Sequence, residues 1–480
     1  MNNRITIKSF ILIFVLIFSI GCNEDLDNYS ENPNDPVQSS PDLLLTGMQV
    51  ATFSVYSGNH VRIPALWVQQ IAGTSEGQFG AYSNYDVSER DIENEWGTSF
   101  ENAIGIGKVI ENDFGDGYDH HKGIAKILLA FNFGVGTDLW NDVPFSEAGL
   151  ARDGNINPVY EEQQVVIEGI QKLLDEGIEL LSNSNPNNTL TPGGDDLIFN
   201  GDIEKWISAA YMLKARYDLR ISLRDNTSMD TAIENISKAN LSGIENDMNA
   251  VFPNSGGNSK NQWKDFEDNR ANYIKMGAYF VELLKNTNDP RLPYFVSKDG
   301  SGGFSGNAVG DINTLDTSKV GPAIASNTVP IGLITYTEVK FIEAEIYYRK
   351  GMETDAIEAF ELALASSFQK VNSLRSHFQG DDSNIEEITQ EQIDEFVNAQ
   401  VEEISLENIL KQKYVSLFSS IEPYNDFRRT GFPTLVPNPG ASNNITSIPV
   451  RFPTASTERL HNKNAVVVSN ITTKVWWDAD

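Results

Sequence analysis

The chain has 480 residues, 40% of them hydrophobic and 10% aromatic, with a formal net charge of −31 and a single cysteine. That apolar content is enough to bury a core and excludes wholesale disorder. The charge excludes a basic face for nucleic acid or anionic lipid, and one cysteine excludes an internal disulfide or a cysteine-rich metal site.

The first nine residues carry Arg4 and Lys8 and no acid, and Phe10–Ile20 is almost unbroken apolar sequence. A basic segment before a short apolar run reads as a signal peptide, too short for the roughly 20 residues of a transmembrane helix. Ser19-Ile20-Gly21-Cys22 follows. It resembles a lipobox, with Ser19 where Leu is usual, and predicts lipidation of Cys22 after cleavage. Asn23-Glu24-Asp25-Leu26-Asp27 is similar to the surface-export signal of Bacteroidetes lipoproteins. Residues 1–21 are therefore expected to be a signal peptide. Residues 22–41, with Pro33, Pro36 and Pro41, are expected to be a lipidated flexible tether to the outer membrane.

Residues 42–480 are expected to form the folded body. Apolar residues recur at three- and four-residue spacings, which predicts helices at about 42–56, 60–73, 91–112, 120–139, 160–182, 202–224, 272–286, 333–350, 353–368 and 400–420. Strand-like sequence is scarce; Ala465-Val466-Val467-Val468 is the best short example. Residues 184–201 and 297–330 are long polar connections rich in Gly, Asn, Asp or Ser, of a length usually reserved for functional or disordered loops.

One internal pattern stands out. Around Gly351, the residues Ala344, Tyr347, Ala356, Phe360 and Ala363 occupy the small and aromatic positions of a tetratricopeptide (TPR) helix pair. Small residues let two helices approach, and rings fill the groove between them. Phe368 stands where such a pair usually closes with Pro. A fainter echo runs through Ala130, Phe133 and the helix beginning near Tyr160. A stable array needs about three repeats, so further degenerate pairs are expected. The predicted fold is all-α: a TPR-like helical-hairpin scaffold packed against an irregular, loop-rich half.

No nucleophile elbow, zinc-protease helix, P-loop or dinucleotide-binding fingerprint occurs. His120 and His121 are adjacent and cannot share one helix face, and Asp113–Asp119 is oxygen-rich but lacks the spacing of a calcium loop. No metal or cofactor is expected. Carboxylates are too abundant for counting to single out a glycosidase pair, and counting does not remove one. Aromatic residues beside polar loops offer a different chemistry. Sugar rings stack on Trp and Tyr while amides and carboxylates take hydroxyl hydrogen bonds. Trp67, Gln70, Tyr82, Tyr85, Trp96 and Trp263 are the candidate ligand residues. Of these, Tyr82, Tyr85 and Trp263 have the most polar, loop-like neighbours, whereas Trp96 lies in a periodic helix.

Several segments in order resemble the SusD/RagB family. Leu139-Trp140-Asn141-Asp142-Val143-Pro144-Phe145-Ser146-Glu147-Ala148 is similar to its Gly-Asp-Val-Pro-Tyr-Ser-Glu-Ala turn, with Asn141 for Gly and Phe145 for Tyr. Trp206–Arg216, Asp289-Pro290-Arg291-Leu292-Pro293-Tyr294-Phe295, Tyr336–Glu345, Arg428-Arg429-Thr430-Gly431-Phe432-Pro433 and Ile448-Pro449-Val450-Arg451 resemble further family motifs. Read by themselves, these are mostly scaffold: Arg216, Arg291, Arg428, Arg429 and Arg451 are candidates to pair with Glu343, Glu345 and Asp426 between helices. The resemblance implies a surface lipoprotein that captures an oligosaccharide, or less often a peptide, and lids a TonB-dependent transporter of the SusC type without breaking a bond. A surface glycan hydrolase and a TPR adaptor that binds only protein remain the rivals.

Overall fold

The computed structural model describes residues 39–479 except Asp116, residues 184–187, Thr189, Gly257 and Asn258. Cys22, the apolar run before it and nearly all of the expected tether lie outside the described residues. Among those described, no helix is long and apolar enough to cross a membrane.

The chain enters through α1 (Pro41–Ser57), with Pro in the first turn where its missing N–H costs nothing. Then α2 (Asn59–Trp67) stops short of the predicted residue 73. Gln69 adopts φ 62°, which no helix continues, and β1 (Ile71–Gly73) follows. After α3 (Gln78–Ser83), the stretch predicted as one helix over 91–112 is three: α4 (Glu93–Trp96), a π-helical segment (Gly97–Ile104) and α5 (Gly105–Asp113). Then come α6 (Asp119–Trp140), the short pair β2 (Val143–Pro144) and β3 (Tyr160–Glu161), α7 (Gln163–Ser182), α8 (Ile203–Arg220), α9 (Ser228–Lys238) and β4 (Met248–Ala250).

α10 (Gln262–Asn269) is capped by the Asn261 side chain, which accepts from the Trp263 and Lys264 amides. The helix predicted at 272–286 begins instead as β5 (Ile274–Met276), antiparallel to β1, and becomes α11 (Ala278–Asn286). α12 (Leu292–Phe295) is one turn. β6 (Ile331–Ile334) pairs with β4 and leads into α13 (Tyr336–Arg349) and α14 (Glu353–Ser373). The helix predicted at 400–420 is two, α15 (Gln390–Glu402) and α16 (Leu406–Ser416), because Ser405 caps a new start. α17 (Glu422–Thr430) ends at Gly431, whose φ of 76° favours glycine, and α18 (Ser456–His461) is short. Residues 465–468 form no strand; Val466 and Val467 are exposed, while the Val468 amide donates to the Thr454 hydroxyl.

The predicted TPR pair is α13 and α14. Ala344, Ala356, Phe360 and Ala363 are buried in their contact and Tyr347 is half-buried. Gly351, at φ 72°, makes the turn. With Phe368 in place of Pro, α14 continues to Ser373 instead of stopping. The fainter echo is also a pair: α6 packs along α7. A Cβ on Gly177 would lie 3.0 Å from the Gly123 carbonyl oxygen, so glycine lets these two backbones nearly touch. α8 and α9 form a third pair, and both meet α13.

The family-like arginines, with Arg220 one turn further along α8, pin this scaffold from inside. Arg216 forks onto Glu338 at 2.7 Å, joining α8 to α13. Arg220 reaches Glu422 at 2.7 Å and Asp138 at 3.2 Å. Arg429 meets Glu345 at 2.6 Å and Asp426 at 2.9 Å, as expected. The other expected pairings differ: Glu343 takes Lys340, Arg291 takes Asp289 from its own motif, Arg428 donates to the Asp138 and Val450 carbonyls, and Arg451 donates to that of Trp140.

Candidate functional site

The six sequence-derived ligand candidates are all in the core. Trp67, at the end of α2, packs on Tyr424 and Phe452, and its indole N–H donates to the Tyr82 carbonyl at 3.3 Å. Gln70 donates to the Tyr414 carbonyl at 2.9 Å. The Tyr82 hydroxyl donates to Asp91, and the Tyr85 hydroxyl accepts the Asn438 amide at 2.9 Å. Trp96 is stacked 4.0 Å from Phe100 and runs nearly parallel to Tyr160 on α4's approach to β3. Trp263 lies under the Arg62 guanidinium at 5.3 Å. None is more than 5% exposed, so none offers an open ring face. Four of them, Trp67, Gln70, Tyr82 and Tyr85, do gather on one stretch of chain between α2 and α4. Several of the polar neighbours that suggested a surface site are themselves buried or half-buried, Asn261 and Asn84 among them, and each ring turns inward to bury its area.

Asp116 lies outside the described residues, and Asp113 is taken by Arg152 at 2.6 Å. Among the described residues, no group of three His, Cys, Asp or Glu is placed to hold a metal.

An open cleft lies elsewhere, about 780 Å³ in volume, between the Pro290–Phe304 segment and residues 381–392. Its first wall is set by the Asp-Pro-Arg motif. The buried Arg291 guanidinium is held by Asp289 at 2.5 Å, Ser367 at 2.8 Å and Gln412 at 2.8 Å, which fixes the chain against α14 and α16. Pro290 and Pro293, both half-buried, then line the cleft with apolar surface, and Val296 is buried behind them. Beyond α12 the chain turns tightly. The Asp299 carboxylate accepts from the Ser301 hydroxyl at 2.6 Å and the Ser305 hydroxyl at 2.7 Å, and from the Gly303 and Ser301 amides at 2.9 and 3.0 Å. These hydrogen bonds hold it down to about pKa 2. The turn delivers Phe304, half-buried, to the cleft edge beside exposed Lys298.

The second wall is mainly polar, with Asp381, Asp382, Asn384, Glu386, Glu387 and Gln392, and Ile385 and Ile388 add apolar surface to it. Burial and then the neighbouring Glu267 and Asp381 carboxylates push the Asp382 carboxyl above its ordinary value. This wall is fastened from below. The Asn372 side chain donates to the Ile388 carbonyl at 2.9 Å and accepts the Ile388 amide at 3.0 Å, and Arg375 donates to the Ile385 carbonyl at 3.1 Å. Apolar and aromatic groups thus face carboxylates and amides across a groove of ordinary small-ligand size. Sequence reading flagged the glycine-rich 297–330 loop but not 381–392. The signal available there was an acidic run between two helices with no basic residue to balance it.

The SusD-like family, described as starch-binding and associating with the outer membrane, matches residues 33–453. No curated protein matches the sequence. Solved structures do. A SusD/RagB family protein from Bacteroides thetaiotaomicron superposes with a TM-score of 0.80 at 22% identity, over 92% of this chain and 99% of that one. A chitin-binding protein gives 0.77 at 22% identity, over 92% and 100%. A chitin-binding SusD homolog from Flavobacterium johnsoniae gives 0.72 at 18%, over 91% and 99%. The helical fold is the one these structures share, and with the family matching nearly the whole folded body, the chain belongs to the SusD-like family.

Proposed function

We propose that this chain binds an oligosaccharide at the outer membrane and passes it, unbroken, to a TonB-dependent transporter of the SusC type. The cleft carries the reading. Phe304 and the prolines suit the apolar face of a sugar ring, and the facing amides and carboxylates suit its hydroxyls. The carboxylates lining the cleft, among the described residues, all stand on the 381–387 wall. A glycosidase sets its two acids on opposite sides of the scissile bond, so this one-sided arrangement supports binding over hydrolysis. Chitin-binding relatives of the same fold support a glycan ligand. The acidic wall also favours a second reading, a basic peptide. Family membership supports the transporter partner and the outer membrane, and Cys22 supports a lipid anchor. Trp67, Gln70, Tyr82, Tyr85, Trp96 and Trp263 then act as architecture behind the loops.

Isothermal titration with a panel of neutral glycans and basic peptides tests this, followed by chromatography of the recovered ligand. A glycan should bind and return at its original length. Phe304→Ala should weaken it roughly tenfold, equivalent to about 1.4 kcal/mol. Shortened products would convert the binder into an enzyme. Binding of peptides alone would select the second reading.

A further inference from the structure

A second cleft, of about 810 Å³, lies across the 385–389 segment from the first. One side is α14, through Leu362, Ala365, Gln369 and Ser373. The other side is the Thr389–Gln390 entry to α15, and Tyr336 and the Ser242–Gly243 turn complete it. The two clefts share Glu387 and Ile388, so a single strand of backbone divides them. That strand is a fixed sill. Tyr294, from the first cleft, and Asn372, from the second, bond to it and to each other beneath it.

The chemistry of the second cleft differs from the first. Glu387 is its only charged lining residue among those described; the others that can hydrogen-bond are hydroxyls, amides and backbone. Such a surface suits an uncharged, hydroxyl-bearing chain. Tyr336 adds a half-buried ring. Each cleft alone has the volume of an ordinary small-ligand pocket. Two pockets separated by one strand are arranged for one ligand longer than either.

We propose that the second cleft continues the first, and that the ligand is a neutral glycan chain long enough to cross the Glu387–Ile388 sill. This rests on the first cleft being the glycan site. Two linked contacts on one chain raise its affinity by making the second contact intramolecular.

The test uses the isolated chain and a glycan series of one repeating unit and increasing length. Affinity should step upward, on the order of a hundredfold, once the chain spans the sill. Ala365→Trp fills the second cleft from an exposed position on α14, and Gln369→Trp, also exposed, does so independently. Both should remove the step and leave short-chain binding unchanged. Affinity without a step, or a step that survives both substitutions, overturns the proposal. Phe304→Ala reports separately on the first cleft. Short-chain binding that weakens there while the step fails elsewhere keeps the first-cleft reading and rejects only its extension. Short-chain binding indifferent to Phe304→Ala rejects both.

Discussion

The Tyr294 hydroxyl lies 3.0 Å from the Asn372 side-chain oxygen and 2.8 Å from the Glu386 carbonyl, so two residues from opposite clefts hold one strand between them. Tyr294 comes from the Asp-Pro-Arg segment and Asn372 from the TPR-like helix α14. The loop-rich half and the helical scaffold therefore meet under the candidate site. Tyr294→Phe removes the shared donor but keeps the ring. A loss of about 1 kcal/mol is expected, the usual net worth of one buried hydrogen bond. Urea unfolding measures it as a lower midpoint at unchanged slope. An unchanged midpoint would mean that the hydroxyl contributes nothing to fastening the wall.

Gly134 on α6 faces Tyr217 on α8. A Cβ there would fall 1.5 Å from the Tyr217 hydroxyl oxygen and 2.2 Å from Cζ. Tyr217 is buried, 1% exposed. Gly134→Ala is expected to cost about 1–3 kcal/mol through overpacking, despite alanine's better helix propensity. Adding Tyr217→Phe should recover only part of this, because the ring carbon still collides. Thermal melts of the single and double variants decide it, and a stabilised Gly134→Ala would be incompatible with the close contact.

Asp218 on α8 accepts from Gln171 at 2.9 Å and Asn235 at 2.7 Å. Burial pushes its carboxyl up to about 7, against the hydrogen bond from Asn235 and the charge of Lys214. The folded state therefore holds a proton that the unfolded chain releases near pH 4. Between about pH 4 and 7 the folded state binds more protons, so this group makes stability fall as pH rises. Asp218→Asn should flatten that part of the stability–pH curve and leave the protein relatively more stable at pH 8. Denaturation midpoints across the range test it; an unchanged slope would remove Asp218 as the source.

Cys22→Ala should release the protein from membrane fractions, because acyl chains contribute about 0.8 kcal/mol for each buried CH₂. Fractionation of cells expressing each form is the measurement. Continued attachment would show that something other than this cysteine holds it.

The helices were legible because helix periodicity is local: residues three and four apart share a face wherever the chain goes next. The α13–α14 hairpin was legible for the same reason, since Gly351 and its flanking small residues lie close in sequence. Breaks at Gln69 and before α11 were not, because β1 and β5 exist only through each other, far apart along the chain.

The candidate site divides in the same way. Sequence alone located polar loops rich in aromatics, but polarity beside a ring describes the backbone's surroundings and not the direction of the ring. Packing turned Trp67, Tyr82, Tyr85, Trp96 and Trp263 into the core. Packing also brought Phe304 to the same cleft as Asp381 and Glu387, from segments with β6, α13 and α14 between them. Sequence determined the helical scaffold and the family through local pattern and ordered motifs. Only the tertiary structure decided which side chains share a cleft, because the energy that selects among inward and outward rings comes from neighbours distant in the chain.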